Sequence, residues 1–122
     1  MKVKRFNIPL YNYGVSLVEV ETKADAEIIH KELERNRIDA SDISEIKEEI
    51  SQGKHNGGYT YRNEQSKMFC VILFPCTSPI QRLNILGHEK RHIEDRIAEY
   101  TGLEGIEALG YLAGFLSEKL FA

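Results

Sequence analysis

Gly87-His88-Glu89-Lys90-Arg91-His92 is the stretch from which the rest of the chain can be read. Its two histidines stand four residues apart, the spacing that puts side chains on one face of an α-helix. One turn of helix therefore brings His88 and His92 close enough to share a tetrahedral zinc ion, with imidazole nitrogens about 2.0–2.1 Å from the metal. Glu89 lies beside the pair. Its carboxylate is placed to take a proton from a water that the ion acidifies to a pKa of about 7.

Outward from this stretch, the signals for a helix are strong. Ser78 is suited to the N-cap, Pro79 to the first helical position, and Gln81 completes a capping box. Ile80, Leu83, Leu86, Ile93, Ile97 and Tyr100 supply an apolar stripe, Gly87 removes bulk beside the histidines, and Gly102 suits the left-handed C-terminal position. Upstream, Tyr59–Arg62 and Met68–Phe74 flank the polar turn Asn63-Glu64-Gln65-Ser66 and predict a hairpin. The second arm is almost wholly apolar, as a central strand covered on both faces is, and the first arm reads as the edge. Downstream, a last helix is expected from about Glu104 to Leu120, with Glu107, Tyr111, Gly114 and Glu118 on one face.

The first half of the chain predicts two strands within Lys2–Glu21, with a turn at Asn12-Tyr13-Gly14 and with Pro9 marking an edge or an end. Val15–Glu21 alternates about Val18, so one buried face is expected. Thr22, with Asp25 in capping-box register, predicts a helix whose stripe is Ile28, Ile29 and Leu33. Asp42 with Glu45 predicts a second helix start, with Ile43, Ile46 and Ile50 buried and an end at Gly53. His55 falls in a Gly/Asn loop, where a lone histidine is expected to face solvent.

At 122 residues the chain is expected to form a single domain over residues 1–122. Its net charge of -3 argues against a broad nucleic-acid surface. No apolar run approaches the roughly 18 residues of a membrane span and no signal peptide is evident, so a cytoplasmic location without membrane contact is expected. Cys70 and Cys76 lack a C-x-x-C spacing and are expected to be reduced and mostly buried.

With His88-Glu89-x-x-His92 followed by Glu107-Ala-Leu-Gly-Tyr111, the chain resembles the gluzincin class of zinc metallopeptidases, most of all the small zincins coded by bacteriophages and mobile elements. The resemblance covers Ser78 to Leu116, with a weaker echo in Phe6-Asn-Ile-Pro-Leu-Tyr11. It implies an α+β fold: a small zincin-like domain whose antiparallel or mixed sheet packs on the HExxH helix and a C-terminal helix. It implies Zn2+ as cofactor, His88, His92 and Glu107 as ligands, Glu89 as general base, and Tyr111 as an oxyanion or substrate contact. The spacing departs from the family in one respect, because Glu107 follows His92 more closely than a gluzincin third ligand does. A plain helical hairpin turning near Gly102 would bring Glu118 level with the histidines instead, so both carboxylates stand as candidates. The implied activity is peptide-bond hydrolysis, with a peptide or protein held along the edge strand near Tyr59–Tyr61. The alternative is a catalytically inactive zincin-like binding or regulatory module.

Overall fold

Met68–Leu73 has no polar face, so both of its sides must be covered, and the architecture follows from that requirement. The structure is a computed structural model that describes residues 2–9, 11–21, 26–52, 57–102 and 106–122, with the backbone alone for residues 2, 26, 106 and 107. The elements run β1 (Lys2–Ile8), β2 (Tyr13–Glu19), α1 (Ala26–Arg35), α2 (Ala40–Ser51), β3 (Gly58–Asn63), β4 (Met68–Leu73), α3 (Pro79–Thr101) and α4 (Ile106–Phe121).

The strands form one mixed sheet in the order β1-β2-β4-β3. β1 with β2 and β3 with β4 are antiparallel. β2 and β4 are parallel, with Val15 opposite Phe69 and Leu17 opposite Val71. Parallel neighbours need a long crossover, which α1, α2 and β3 provide. On one face of the sheet Val15, Leu17, Phe69 and Val71 meet Leu86, Ile93 and Ile97 of α3 and Leu112, Leu116 and Leu120 of α4. On the other, Val18, Cys70 and Ile72 meet Ile29 and Leu33 of α1 and Ile43, Ile46 and Ile50 of α2. This is an α+β domain in which a mixed sheet packs on the His-Glu-x-x-His helix and the C-terminal helix, as expected.

The hairpin, its edge arm and its central arm lie where the sequence predicts them, and both thiols are free. Burial pushes the Cys70 thiol up to about 12, while Cys76 is half-buried. No described helix is long and apolar enough to cross a membrane.

Several expectations are corrected. The first turn runs through Tyr11 and Asn12, with Asn12 at φ 58°, and Tyr13 belongs to β2 because its ring packs on Phe69 and Tyr100. β2 is buried on both faces rather than one, since it is an inner strand with helices above and below. α2 begins at Ala40 with Asp39 at its cap, so Asp42 lies in the first turn rather than before it. Of the α1 stripe, Ile29 and Leu33 are buried but Ile28 is 43% exposed. Ile80 and Leu83 are exposed as well, because the stripe of α3 meets the sheet only from its second turn onward. Thr22, Asp25, Gly53 and His55 lie outside the described residues.

Candidate metal centre

Helix α3 starts where the sequence places it. Ser78 is its N-cap, with Oγ accepting from the Gln81 amide at 3.1 Å, and Pro79 occupies the first turn. Gln81 returns a cap of its own, although its Oε1 accepts from the Thr77 amide at 2.6 Å, one residue before the expected partner. Gly102, at φ 67°, closes the helix in the left-handed conformation. Leu86, Glu89, Ile93 and Ile97 are its buried positions, which turns His88 and His92 toward the rim of the sheet-facing side.

Both imidazoles are exposed, and their Nε2 atoms lie 3.1 Å apart with the rings edge to face. One ligand atom from each of His88, Glu89 and His92 falls within 4.8 Å of the others, and this is a cluster able to hold a metal ion. The donor set fits zinc: two nitrogens on one tetrahedral ion at about 2.0–2.1 Å stand about 3.3–3.4 Å apart. The observed separation is short of that by a few tenths of an ångström, within reach of a small ring rotation.

Glu89 is only 3% exposed, and its Oε2 accepts from the Thr60 hydroxyl at 2.8 Å. Thr60 sits on β3, the strand at that edge of the sheet. Gly58, Thr60 and Arg62 of β3 and His88, His92 and Arg96 of α3 line an open cleft of about 350 Å³. The close approach of β3 to α3 depends on Gly58. A Cβ there would stand 2.9 Å from Ile85 Cγ2 and 3.1 Å from Glu89 Cγ. Gly87, expected to make room beside the histidines, has nothing within 4 Å of where its Cβ would be. The glycine that shapes the site is therefore on the strand rather than on the helix.

The Phe74 amide donates to the Gly57 carbonyl at 3.0 Å, which marks this as a hydrogen-bonded pair of the hairpin. Bonded pairs alternate along an antiparallel ladder, so Tyr59 and Tyr61 also bond β4, while Gly58, Thr60 and Arg62 turn their N–H and C=O groups to the outer edge. No described strand pairs with that edge. The Tyr59 and Tyr61 side chains point to the opposite face. A hydrogen bond to the Glu49 carboxylate, with burial behind it, pushes the Tyr59 phenol up to about 12 and commits it to α2.

Tyr111 and Glu118 lie apart from the cluster. Tyr111 is 82% exposed on α4 and does not line the cleft. Glu118 is exposed and is not one of the clustered ligands. The C-terminal half of α4 leans on β1, where Phe115 packs edge-on against Phe6 and Lys4 Nζ donates to the Lys119 carbonyl at 2.9 Å. That is the far edge of the sheet from β3. Glu107 belongs to the first turn of α4, and its side chain lies outside the described residues. Thr60, Gly58, Arg62 and Arg96 escape the sequence reading. The signal that finds the first three is the period of two along the edge strand, which puts 58, 60 and 62 on one face once that strand is set against the helix. Comparison of the chain with protein-family models, curated proteins and solved structures finds no match.

Proposed function

We propose that this chain is a zinc-dependent peptidase. The observation that carries the reading is the convergence of His88 and His92 beside a buried Glu89, under a strand edge with outward backbone groups. In this reading His88, His92 and Glu107 hold the ion. Glu107 rests on the family resemblance, and the lean of the α4 C-terminal half toward β1 supports it over Glu118. When bound, zinc supplies a Lewis acid that polarises a carbonyl and acidifies water. Glu89 is the general base, oriented by Thr60, and its protonated form is the proton donor to the departing amine. An extended peptide adds to the outer edge of β3, with Gly58, Thr60 and Arg62 offering the backbone groups that hold it. Tyr111 is the proposed substrate contact on the family resemblance alone, as a residue outside the lining of the cleft.

The test is elemental analysis of protein purified without a metal-affinity tag, followed by a peptide-library digest. About one zinc per chain is expected, lost in His88→Ala and His92→Ala and kept in His30→Ala. Glu89→Gln is expected to keep the zinc while hydrolysis falls by about 10²–10⁴-fold, the size of a general-base contribution. Absence of metal after zinc soaking would overturn the reading. Zinc without hydrolysis would instead favour a binding or regulatory module with the same core.

A further inference from the structure

A second concentration of buried polarity lies across the sheet from the histidines. Among the described residues four polar or charged side chains are buried: Glu89 in the cleft, and Ser16, Glu32 and Asn36 grouped where α1 meets β1 and β2. Asn36 Nδ2 donates to Ser16 Oγ at 3.0 Å. Arg5 clamps Glu32 through Nε to Oε1 at 3.0 Å and Nη2 to Oε2 at 2.8 Å. A buried network of this kind is costly unless its members satisfy one another, and three of them, Arg5, Ser16 and Asn36, line a cavity of about 460 Å³.

The walls of that cavity are basic. Arg5 comes from the sheet, and Arg35 and Arg37 from the end of α1. Glu32 neutralises Arg5, whereas Arg35 and Arg37 form no ion pair among the described residues. Both are exposed, and Arg35 adds a weaker through-space attraction to that of Arg5 on Glu32, so two of the three guanidinium groups act on one buried carboxylate.

The backbone fixes where these arginines stand: the Ile38 amide bonds the Leu33 carbonyl at 3.0 Å and the Arg37 amide the Glu34 carbonyl at 2.9 Å, so α1 ends in a Schellman motif whose negative dipole end the arginines offset. Arg37 holds its left-handed position at φ 57°, where glycine is the usual residue and any side chain is disfavoured. A second observation comes from the β3–β4 turn: Ser66 lines the same cavity, and its buried hydroxyl has no hydrogen-bond partner.

We propose that this cavity binds a small phosphorylated molecule. A phosphate has three terminal oxygens to share among donors arriving from separate walls, and guanidinium forks match two of them at a time. The volume falls within the usual range for small-molecule sites, about 300–1,000 Å³, which leaves room for an organic group beside the phosphate. The site is independent of the metal centre and lies on the other face of the sheet.

The probe is pyrophosphate, titrated into the metal-free full chain at about 0.15 M salt and followed by amide chemical shifts, so that distant surface charges are screened. Saturable shifts are expected at Asn36, Arg37 and Ser66. Affinity should fall about tenfold or more in Arg35→Gln, the size of one charge-assisted hydrogen bond. Arg37→Gly is the sharper variant, because it should raise the thermal midpoint by relieving the left-handed residue and still weaken pyrophosphate to the same degree. No saturable binding, or affinity unchanged in both variants, overturns the site. Malonate binding as tightly as pyrophosphate overturns the assignment to phosphate, and a single-stranded oligonucleotide binding more tightly overturns the assignment to a small molecule.

Discussion

Thr60 Oγ1 is the hydrogen-bond donor that the Glu89 carboxylate has among the described residues, in a place where the residue is 3% exposed. Removing a partner from a buried acceptor costs the desolvation of that acceptor, about 1–3 kcal/mol and more when it is charged. Thr60→Val keeps the side-chain shape and deletes the donor, so the unfolding free energy from urea denaturation is expected to fall by about 1–3 kcal/mol. Thr60→Ser should restore most of the loss, because the hydroxyl returns and only a methyl is missing. A Thr60→Val protein as stable as the parent would show that the bond contributes nothing in solution. The same bond bears on the proposed chemistry, since a base held in one orientation is ready for the proton it must take.

Two glycines on neighbouring elements have opposite parts to play. Gly58 lets β3 approach α3, and an added Cβ would have to displace Ile85 and Glu89. Overpacking of this kind costs about 1–3 kcal/mol, and Gly58→Ala is expected to fall there. Gly87 is in the interior of α3 with open space around it, so Gly87→Ala should stabilise by about 0.5–1 kcal/mol through helix propensity alone. Chemical denaturation of the two variants gives the comparison. The opposite order of stabilities would mean that the strand and the helix do not meet at Gly58. Zinc binding in Gly58→Ala is a second readout, because the element that shifts carries the wall of the cleft.

Across the whole molecule, Arg5 of edge strand β1 is tied to Glu32 of α1 by two hydrogen bonds, which fasten a helix to the rim of the sheet. Arg5 holds the Glu32 carboxyl below the usual glutamate range, against the opposing effect of burial. A carboxyl lowered in the folded state stabilises above the unfolded value, about 4.3, and that stability is lost as pH falls through the lowered one. Urea midpoints at successive pH values should therefore drop below about pH 4.3 in the parent and drop less steeply in Glu32→Gln. Arg5 is half-exposed, so solvent screening keeps the effect modest. Parallel acid profiles for the two proteins would remove the pair from the account of stability.

What the sequence determined by itself was local: the cap at Ser78 and the stop at Gly102, the hairpin about Asn63–Ser66, the central place of Met68–Leu73, and the pairing of His88 with His92. Each of these follows from side chains a few residues apart, where helix and strand periods act directly. The sheet order and the parallel β2–β4 pair were not legible, nor was the coverage of β2 on both faces, because alternation in one strand does not say what lies above and below it. The same holds at the site. Glu89 is adjacent to the histidines in the chain, but its partner Thr60 is 29 residues away and meets it only where the edge strand crosses the helix. The basic cavity is the extreme case, since Arg5, Arg35, Arg37 and Ser66 come from a strand, a helix end and a turn that share no period. Spacing along the chain encodes contacts within one element, whereas contacts between elements depend on how those elements pack.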